Sequence, residues 1–338
     1  MNTALIRFLF AGLLLVGLAA CVLPRVQHYN DTMQTSILNG SDAIMADGYR
    51  LPVSTWSPPG EPQAVILALH GFNDYRNAFR EPAAYFAAHG IMTVAYDQRG
   101  FGATDQHGVW PAQDRLQQDA VTVAKLLCKQ YPQLPLFVLG ESMGGAVLID
   151  ALNGSRPDCV AGTILVAPAV WGWQTMPWWQ ALTLRIAAHV LPAMTLTGEG
   201  LDIQPSDNIE MLRALARDPL VIKATRIDAL YGITNLMTAA FSNSSGLTPP
   251  VLLLYGEHDE IIPPAAFCHM SIPGMDPDAP AWQTALYPDG YHMLLRDLQA
   301  QVVLRDIVAW VGDQQVTLPS GHDGVSASAG LQRLCTDA

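Results

Sequence analysis

Three residues of this chain are of the types, and come in the order, that can turn a hydroxyl group into a nucleophile. Ser142 lies in Gly140-Glu141-Ser142-Met143-Gly144, with apolar "PLFVLG" before it and helix-like "GGAVLIDALNG" after it. A tight strand-to-helix turn needs small neighbours, and it lifts the serine Oγ above the carboxyl edge of a sheet. A serine hydroxyl attacks poorly unless a base removes its proton. In this setting the partners follow along the chain as an acid and then a histidine. "LYGEHDEIIP" turns at Asp259 after an apolar run, and "LYPDGYHMLLRD" places His292 in a loop just before the last helix. His292 would take the Ser142 proton and later return one to the leaving group. Asp259 would hold the imidazole tautomer and stabilise its cation.

Other residues compete for these roles. Glu257 and Asp289 are alternative acids, and His258 and His70 stand beside motifs of their own. His89, His189 and His269 fall in helical patterns, while His28, His107 and His322 have no motif around them. Asp97, in "YDQRGFG", precedes the serine and reads as structural, paired with Arg99 to shape its loop. Developing negative charge on a substrate oxygen calls for two backbone donors. One is expected at Met143 N–H, at the start of the helix. The other is expected at Phe72 N–H in "LHGFND", with His70 and Gly71 shaping the turn. This chemistry calls for no cofactor. The sequence has no HExxH or CxxC metal spacing and no GxxxxGK[ST] phosphate loop.

Alternating elements must position these groups. "AVILALHG", "IMTVAYDQRG", "PLFVLG", "VAGTILVAPA" and "PVLLLYGEHD" are continuous apolar runs, as in strands buried on both faces of a parallel sheet. "EPAAYFAAHG", "DRLQQDAVTVAKLLCKQY" and "DLQAQVVLRDIVAWV" keep a helical period between and after them. The expectation is an α/β fold with a mainly parallel sheet. The alternation fails between about Val170 and Thr248, which reads as an inserted helical cap. Four of the eight tryptophans, Trp171, Trp173, Trp178 and Trp179, crowd its first residues. They are either substrate contacts on a lid that admits an acyl chain or touches lipid, or packing groups turned toward the sheet domain. The expected boundaries are a leader at 1–20, a tether at 21–45, core at 46–169, cap at 170–248 and core again at 249–312. From 313 to 338 the Ser-, Gly- and Asp-rich sequence reads as a disordered tail.

Taken together, the motifs resemble the α/β-hydrolase superfamily, and within it the monoacylglycerol lipase and lysophospholipase group of serine aminopeptidase-like hydrolases. The marks are His70-Gly71-Phe72, Tyr96 to Gly102, Gly140 to Gly145, Asp218-Pro219-Leu220, Gly256-Glu257-His258-Asp259 and Gly290-Tyr291-His292, within about Gly48 to Val311. The resemblance implies an α/β-hydrolase fold with Ser142, Asp259 and His292 as its triad and Phe72 and Met143 as its oxyanion donors. There is one departure. Members of the group typically follow His-Gly with a small residue and a Gly-Glu-His-like run, where this chain has Phe72-Asn73-Asp74.

The N-terminus carries an address. After Arg7, an apolar run from Phe8 to Ala20 is short for a membrane span, which needs about 20 apolar residues. It reads as a secretory signal. Leu18-Ala19-Ala20-Cys21 resembles the bacterial lipobox, which implies a mature N-terminus at Cys21 bearing acyl chains and a membrane anchor. Val22 rather than Asp at the next position favours the outer membrane, facing the periplasm. Cys128, Cys159, Cys268 and Cys335 remain, and both disulfides and free thiols are compatible with their long, irregular spacing. A net charge of −12 and the lack of a basic stripe argue against nucleic acid as a partner.

The function expected is hydrolysis of a lipid monoester, a monoacylglycerol or lysophospholipid, through an acyl-enzyme on Ser142. A short-chain esterase, a peptidase, an acyltransferase or a non-catalytic ligand-binding lipoprotein would carry the same residues or the same fold.

Overall fold

The computed structural model describes residues 24–28, 33–198, 200–271 and 282–336. The leader and Cys21 lie outside them. The first strands are β1 (Ile37–Asn39), β2 (Asp42–Ile44), β3 (Arg50–Trp56) and β4 (Ala64–Leu69), followed by α1 (Arg80–Ala88), β5 (Ile91–Tyr96) and α2 (Gln113–Gln130). The serine strand β6 (Leu136–Glu141) leads into α3 (Met143–Ala151) and then β7 (Val160–Val166). Next come α4 (Trp178–Val190), β8 (Thr195–Thr197), α5 (Ile209–Arg217), β9 (Ala224–Arg226) and α6 (Ile227–Asn243). The chain closes with β10 (Val251–Gly256), α7 (Pro264–Ser271), β11 (Gln283–Tyr287), α8 (Ala300–Gly312) and α9 (Gly324–Thr336).

Among the described residues, nine strands form one sheet in the order β1-β2-β3-β5-β4-β6-β7-β10-β11. From β5 to β11 every pairing is parallel, while β1 to β3 join antiparallel at one edge. Strands β4, β5, β6 and β10 are buried along their whole length, the physical reason for their unbroken apolar runs. Their side chains alternate between two cores. Val65, Leu67 and Leu69 face one with α2, α3 and α6, and Ile66 and Ala68 face the other with α1 and α8. Strand β4 sits between β5 and β6, so the chain leaves it in one direction and returns on its other side. The carboxyl ends of strands beside such a reversal open a crevice, and both the serine turn and the Phe72 loop stand there.

Between β7 and β10 the chain leaves the sheet. Among its described residues this excursion holds three α-helices, a short 3-10 turn at Ser244–Gly246 and an antiparallel ribbon of β8 and β9. The ribbon escapes sequence reading because "TLT" and "ATR" are too short to show a period.

Two expectations are corrected. The tether expected at 21–45 already contains β1 and β2, because β2 pairs with β3 and buries Ala43 and Met45. The tail expected to be disordered at 313–338 contains the helix α9. Its small residues let it lie close to the sheet: a Cβ added at Gly330 would come within 2.8 Å of Leu286. Leu331 and Ala327 are buried beneath it, and a Cys268–Cys335 disulfide fastens its end to α7. The cysteines among the described residues thus form bridges rather than free thiols, since Cys128 and Cys159 are also joined.

Candidate active site

Ser142 sits at the junction of β6 and α3 with φ 52° and ψ −113°, a backbone conformation that non-glycine residues rarely adopt. The surroundings hold it there. Ser142 N–H donates to Val166 C=O at 2.9 Å, and its carbonyl accepts the N–H groups of Ala146 and Ala169. The flanking glycines are required sterically. A Cβ at Gly144 would meet the Leu69 carbonyl oxygen at 2.1 Å, so only glycine lets the helix start this close to β4.

The structure brings Ser142, His292 and Asp259 together. His292 Nε2 lies 2.9 Å from Ser142 Oγ, and His292 Nδ1 lies 2.8 Å from Asp259 Oδ2. Asp259 Oδ1 accepts the N–H groups of Ile261 and Ile262, which leaves Oδ2 aimed at the imidazole. All three side chains are buried. Burial disfavours the imidazolium, but Asp259, with Glu141 and Asp297 beyond it, outweighs burial and raises the His292 pKa above its ordinary value. The rival acids are elsewhere: Glu257 pairs with Arg333 at 3.7 Å, and Asp289 is exposed. His258 packs its ring against Tyr291.

Met143 is the first residue of α3, so its N–H has no partner within the helix and points where that helix begins. Phe72 follows Gly71, whose position lies against the serine: a Cβ built there would stand 3.9 Å from Ser142 Oγ. His70 controls this turn. Its buried ring accepts Gln98 N–H on Nε2 at 3.0 Å, which leaves Nδ1–H to donate to Gly71 C=O at 2.8 Å. Burial keeps the imidazole neutral, lowering its pKa. Because a peptide carbonyl and the following N–H point in opposite directions, fixing Gly71 C=O also aims Phe72 N–H. The bulky Phe72 ring turns away and packs edge-on against Phe101 and Trp110.

Sequence reading missed the groups that join these loops. Arg296, four residues after His292 in the same loop, reaches Asp74 at 2.8 Å and Glu141 at 3.3 Å. One buried guanidinium therefore bridges the Phe72 loop, the residue before Ser142, and the histidine loop. Burial opposes its charge, but Asp74 and Glu141 hold it protonated, while burial pushes the Glu141 carboxyl upward. Asp297 accepts Tyr291 N–H and the Ser206 hydroxyl, fixing the histidine loop from the other side. Arg296-Asp297 beside the histidine was a visible signal, but its partners at 74, 141 and 206 are far away in sequence. The expected Asp97–Arg99 pair is not formed. Asp97 instead pairs with Arg76 and accepts Ala103 N–H, and Arg99 bridges Asp47 and Asp119, so each buried charge finds its counter-charge away from the other.

The tryptophans divide. Trp171 packs against the core, and Trp173 is held by Asn235 at 2.8 Å with the Arg185 guanidinium over its ring. Trp178 and Trp179 face solvent at 77% and 56% exposure. Trp178, Leu182, Ile186 and Val190 recur every four residues and are all exposed, so one face of α4 is an apolar stripe. Among the described residues, no group of His, Cys, Asp and Glu could hold a metal ion.

A mostly parallel sheet with helices on both faces, carrying a serine elbow at its carboxyl edge, is the α/β-hydrolase architecture, and the protein is a serine hydrolase. Residues 60–299 match the model of the family described as serine aminopeptidase, S33, and the chain belongs to that family. It is 26% identical over 270 residues to a monoacylglycerol lipase of Mycolicibacterium smegmatis, covering 78% of this chain and 93% of the relative. To the monoglyceride lipase of Mus musculus it is 27% identical, covering 82% and 92%. Among solved structures, a soluble variant of monoglyceride lipase from Saccharomyces cerevisiae in complex with a substrate analog superposes with a TM-score of 0.68 at 21% identity, covering 85% of this chain and 99% of that one.

Proposed function

We propose that this protein hydrolyses lipid monoesters, monoacylglycerols in the first place, through an acyl-enzyme on Ser142. The observation that carries this reading is the unbroken hydrogen-bonded line from Asp259 through His292 to Ser142 Oγ. In the first step Ser142 Oγ attacks the ester carbonyl carbon while His292 Nε2 takes its proton. The carbonyl oxygen becomes an oxyanion facing the Met143 and Phe72 N–H groups. His292 then protonates the departing alcohol, and water, activated by the same imidazole, releases the fatty acid. Asp259 orients and stabilises the imidazolium.

Lipid rather than a polar substrate is supported by the apolar stripe on α4 and by the names of the relatives. Trp178 and Trp179 are suited to an interface between water and acyl chains. Purified protein should react with a fluorophosphonate probe, and Ser142→Ala should abolish the reaction while remaining folded. A series of p-nitrophenyl esters, monoacylglycerols and lysophospholipids assigns the substrate. Turnover restricted to short soluble esters would sink the lipid reading. Replacing Trp178 and Trp179 together by Ser should lower activity on dispersed monoacylglycerol about tenfold or more while leaving soluble-ester turnover near wild type.

Export and lipidation at Cys21 belong to the same proposal. Two disulfides suit an oxidising compartment such as the periplasm, and no helix among the described residues is long and apolar enough to cross a membrane. Cys21→Ala should release the protein from the membrane fraction; unchanged, complete membrane retention would refute the lipid anchor.

A further inference from the structure

The loop after β4 is fastened to the cap by two side chains, Asn73 and Tyr75, and the first has an unusual backbone setting. Asn73 has φ 64°, in the left-handed region that glycine enters freely and asparagine tolerates better than most residues. Glycine would satisfy that backbone. Asparagine adds an amide, and the amide leaves the sheet domain: Nδ2 donates to Thr225 Oγ1 at 2.7 Å, across 152 positions of chain. The Asn73 carbonyl also accepts Ile222 N–H at 2.9 Å. Two residues further, the Tyr75 hydroxyl donates to Asp218 Oδ2 at 2.7 Å. Thr225 is 8% exposed, so its bond is shielded from competing water. Residues 218–225 of the cap are thereby strapped along residues 73–75.

Phe72, whose N–H is the second oxyanion donor, immediately precedes Asn73. On its upstream side the holding groups belong to the sheet domain, where Gln98 fixes His70 and His70 fixes Gly71 C=O. On its downstream side the partners of Asn73 belong to the cap. The donor therefore lies between a support that belongs wholly to the sheet domain and a segment that the cap holds at Asn73 and Tyr75 while Arg296 holds Asp74 between them.

We propose that the Asn73–Thr225 hydrogen bond is a positioning contact that couples the seating of the cap to the aim of the Phe72 N–H. Asn73 touches no reacting atom and acts through its neighbour. A substrate that orders the cap thereby orders the donor that stabilises its own transition state, so the contact acts on kcat rather than on substrate binding. Small displacements of a donor have large kinetic effects, up to about 10²-fold for about 1 Å. The inference rests on the reading of Phe72 and Met143 as oxyanion donors.

The test is steady-state kinetics on the full chain with a short, soluble p-nitrophenyl ester. Thr225→Val keeps the shape and removes the hydroxyl. Its kcat should fall about fivefold or more, with KM within about twofold of wild type. Affinity for a boronic acid transition-state analogue should fall by the same factor as kcat/KM. Thr225→Ser, which keeps the hydroxyl, should stay within about twofold of wild type, and adding Asn73→Gly to Thr225→Val should bring no further loss. Should Thr225→Val fail to fold, Asn73→Gly, whose backbone is unstrained at this φ, gives the same reading alone. A folded, fluorophosphonate-reactive Thr225→Val or Asn73→Gly variant with unchanged kcat overturns the proposal, as do additive losses in the double variant. Failure of the wild-type protein to react with fluorophosphonate is a separate result, because it removes Ser142 as the nucleophile.

Discussion

Arg296 Nη2 lies 2.8 Å from Asp74 Oδ2, joining the loop that carries His292 to the loop that carries Phe72. Glu141, one residue before Ser142, completes the cluster. Replacing Arg296 by Met would leave two buried carboxylates without their counter-charge. Removing one partner of a buried ion pair destabilises by about 3–5 kcal/mol. Urea unfolding of Arg296→Met should show a loss of that size, partly recovered when Glu141→Gln is added, because the double variant buries one negative charge fewer.

The pH dependence follows from His292. Only neutral imidazole can take the Ser142 proton, so activity is present above the His292 pKa and falls as pH drops through it. Asp259, Glu141 and Asp297 outweigh burial and raise that pKa. The acid limb of kcat/KM should therefore lie above the ordinary histidine value of about 6.5. Asp259→Asn removes the nearest raising charge, so the limb should move to lower pH. Removing the orienting carboxylate should also lower kcat by about 10³–10⁴-fold. A limb that stays in place in Asp259→Asn would assign it to another group.

Gly144→Ala tests the serine elbow sterically. The added methyl would stand 2.1 Å from the Leu69 carbonyl oxygen, which belongs to a central strand and has little room to retreat. Overpacking of this kind destabilises by about 1–3 kcal/mol or more. Circular dichroism melting should show a lowered midpoint, and fluorophosphonate labelling should fall with it because the movement occurs directly under Ser142.

The Cys268–Cys335 bridge spans 67 residues of sequence. By the chain-entropy estimate such a loop contributes about 4 kcal/mol. Cys335→Ser should lower stability by about 2–4 kcal/mol and expose α9 to limited proteolysis after residue 312, leaving the Ser142 site reactive. Protection of α9 equal to that in wild type would mean that Leu331 and Ala327 hold the helix without the bridge.

The sheet and the loop settings of Ser142, Asp259 and His292 were legible because each has a local cause. Strands buried on both faces must be apolar throughout, and "AVILAL" and "VLLLYG" show it without reference to anything else. The serine elbow needs glycines at fixed offsets, and the loop positions of Asp259 and His292 follow from strand ends. The α9 helix was not legible, because Ala327 and Gly330 become packing groups only when Leu286 lies opposite and a disulfide pins the end. Composition alone made that segment look disordered. The two short N-terminal strands failed for a similar reason: three residues show no periodicity, and pairing makes them strands, β2 with β3 and β1 with β2.

What the sequence determined by itself was the alternation of apolar runs and helices, the small residues around Ser142, and the order serine, acid, histidine. Tertiary structure alone decided which acid meets His292, that Arg99 turns from Asp97 toward Asp47 and Asp119, and that Arg296 gathers Asp74 and Glu141. It also decided which tryptophans face outward and which cap residue reaches Asn73. The division has one physical reason. Backbone conformation and burial are dictated by neighbours along the chain, whereas a buried charge or amide takes its partner from whatever the fold places within about 3 Å.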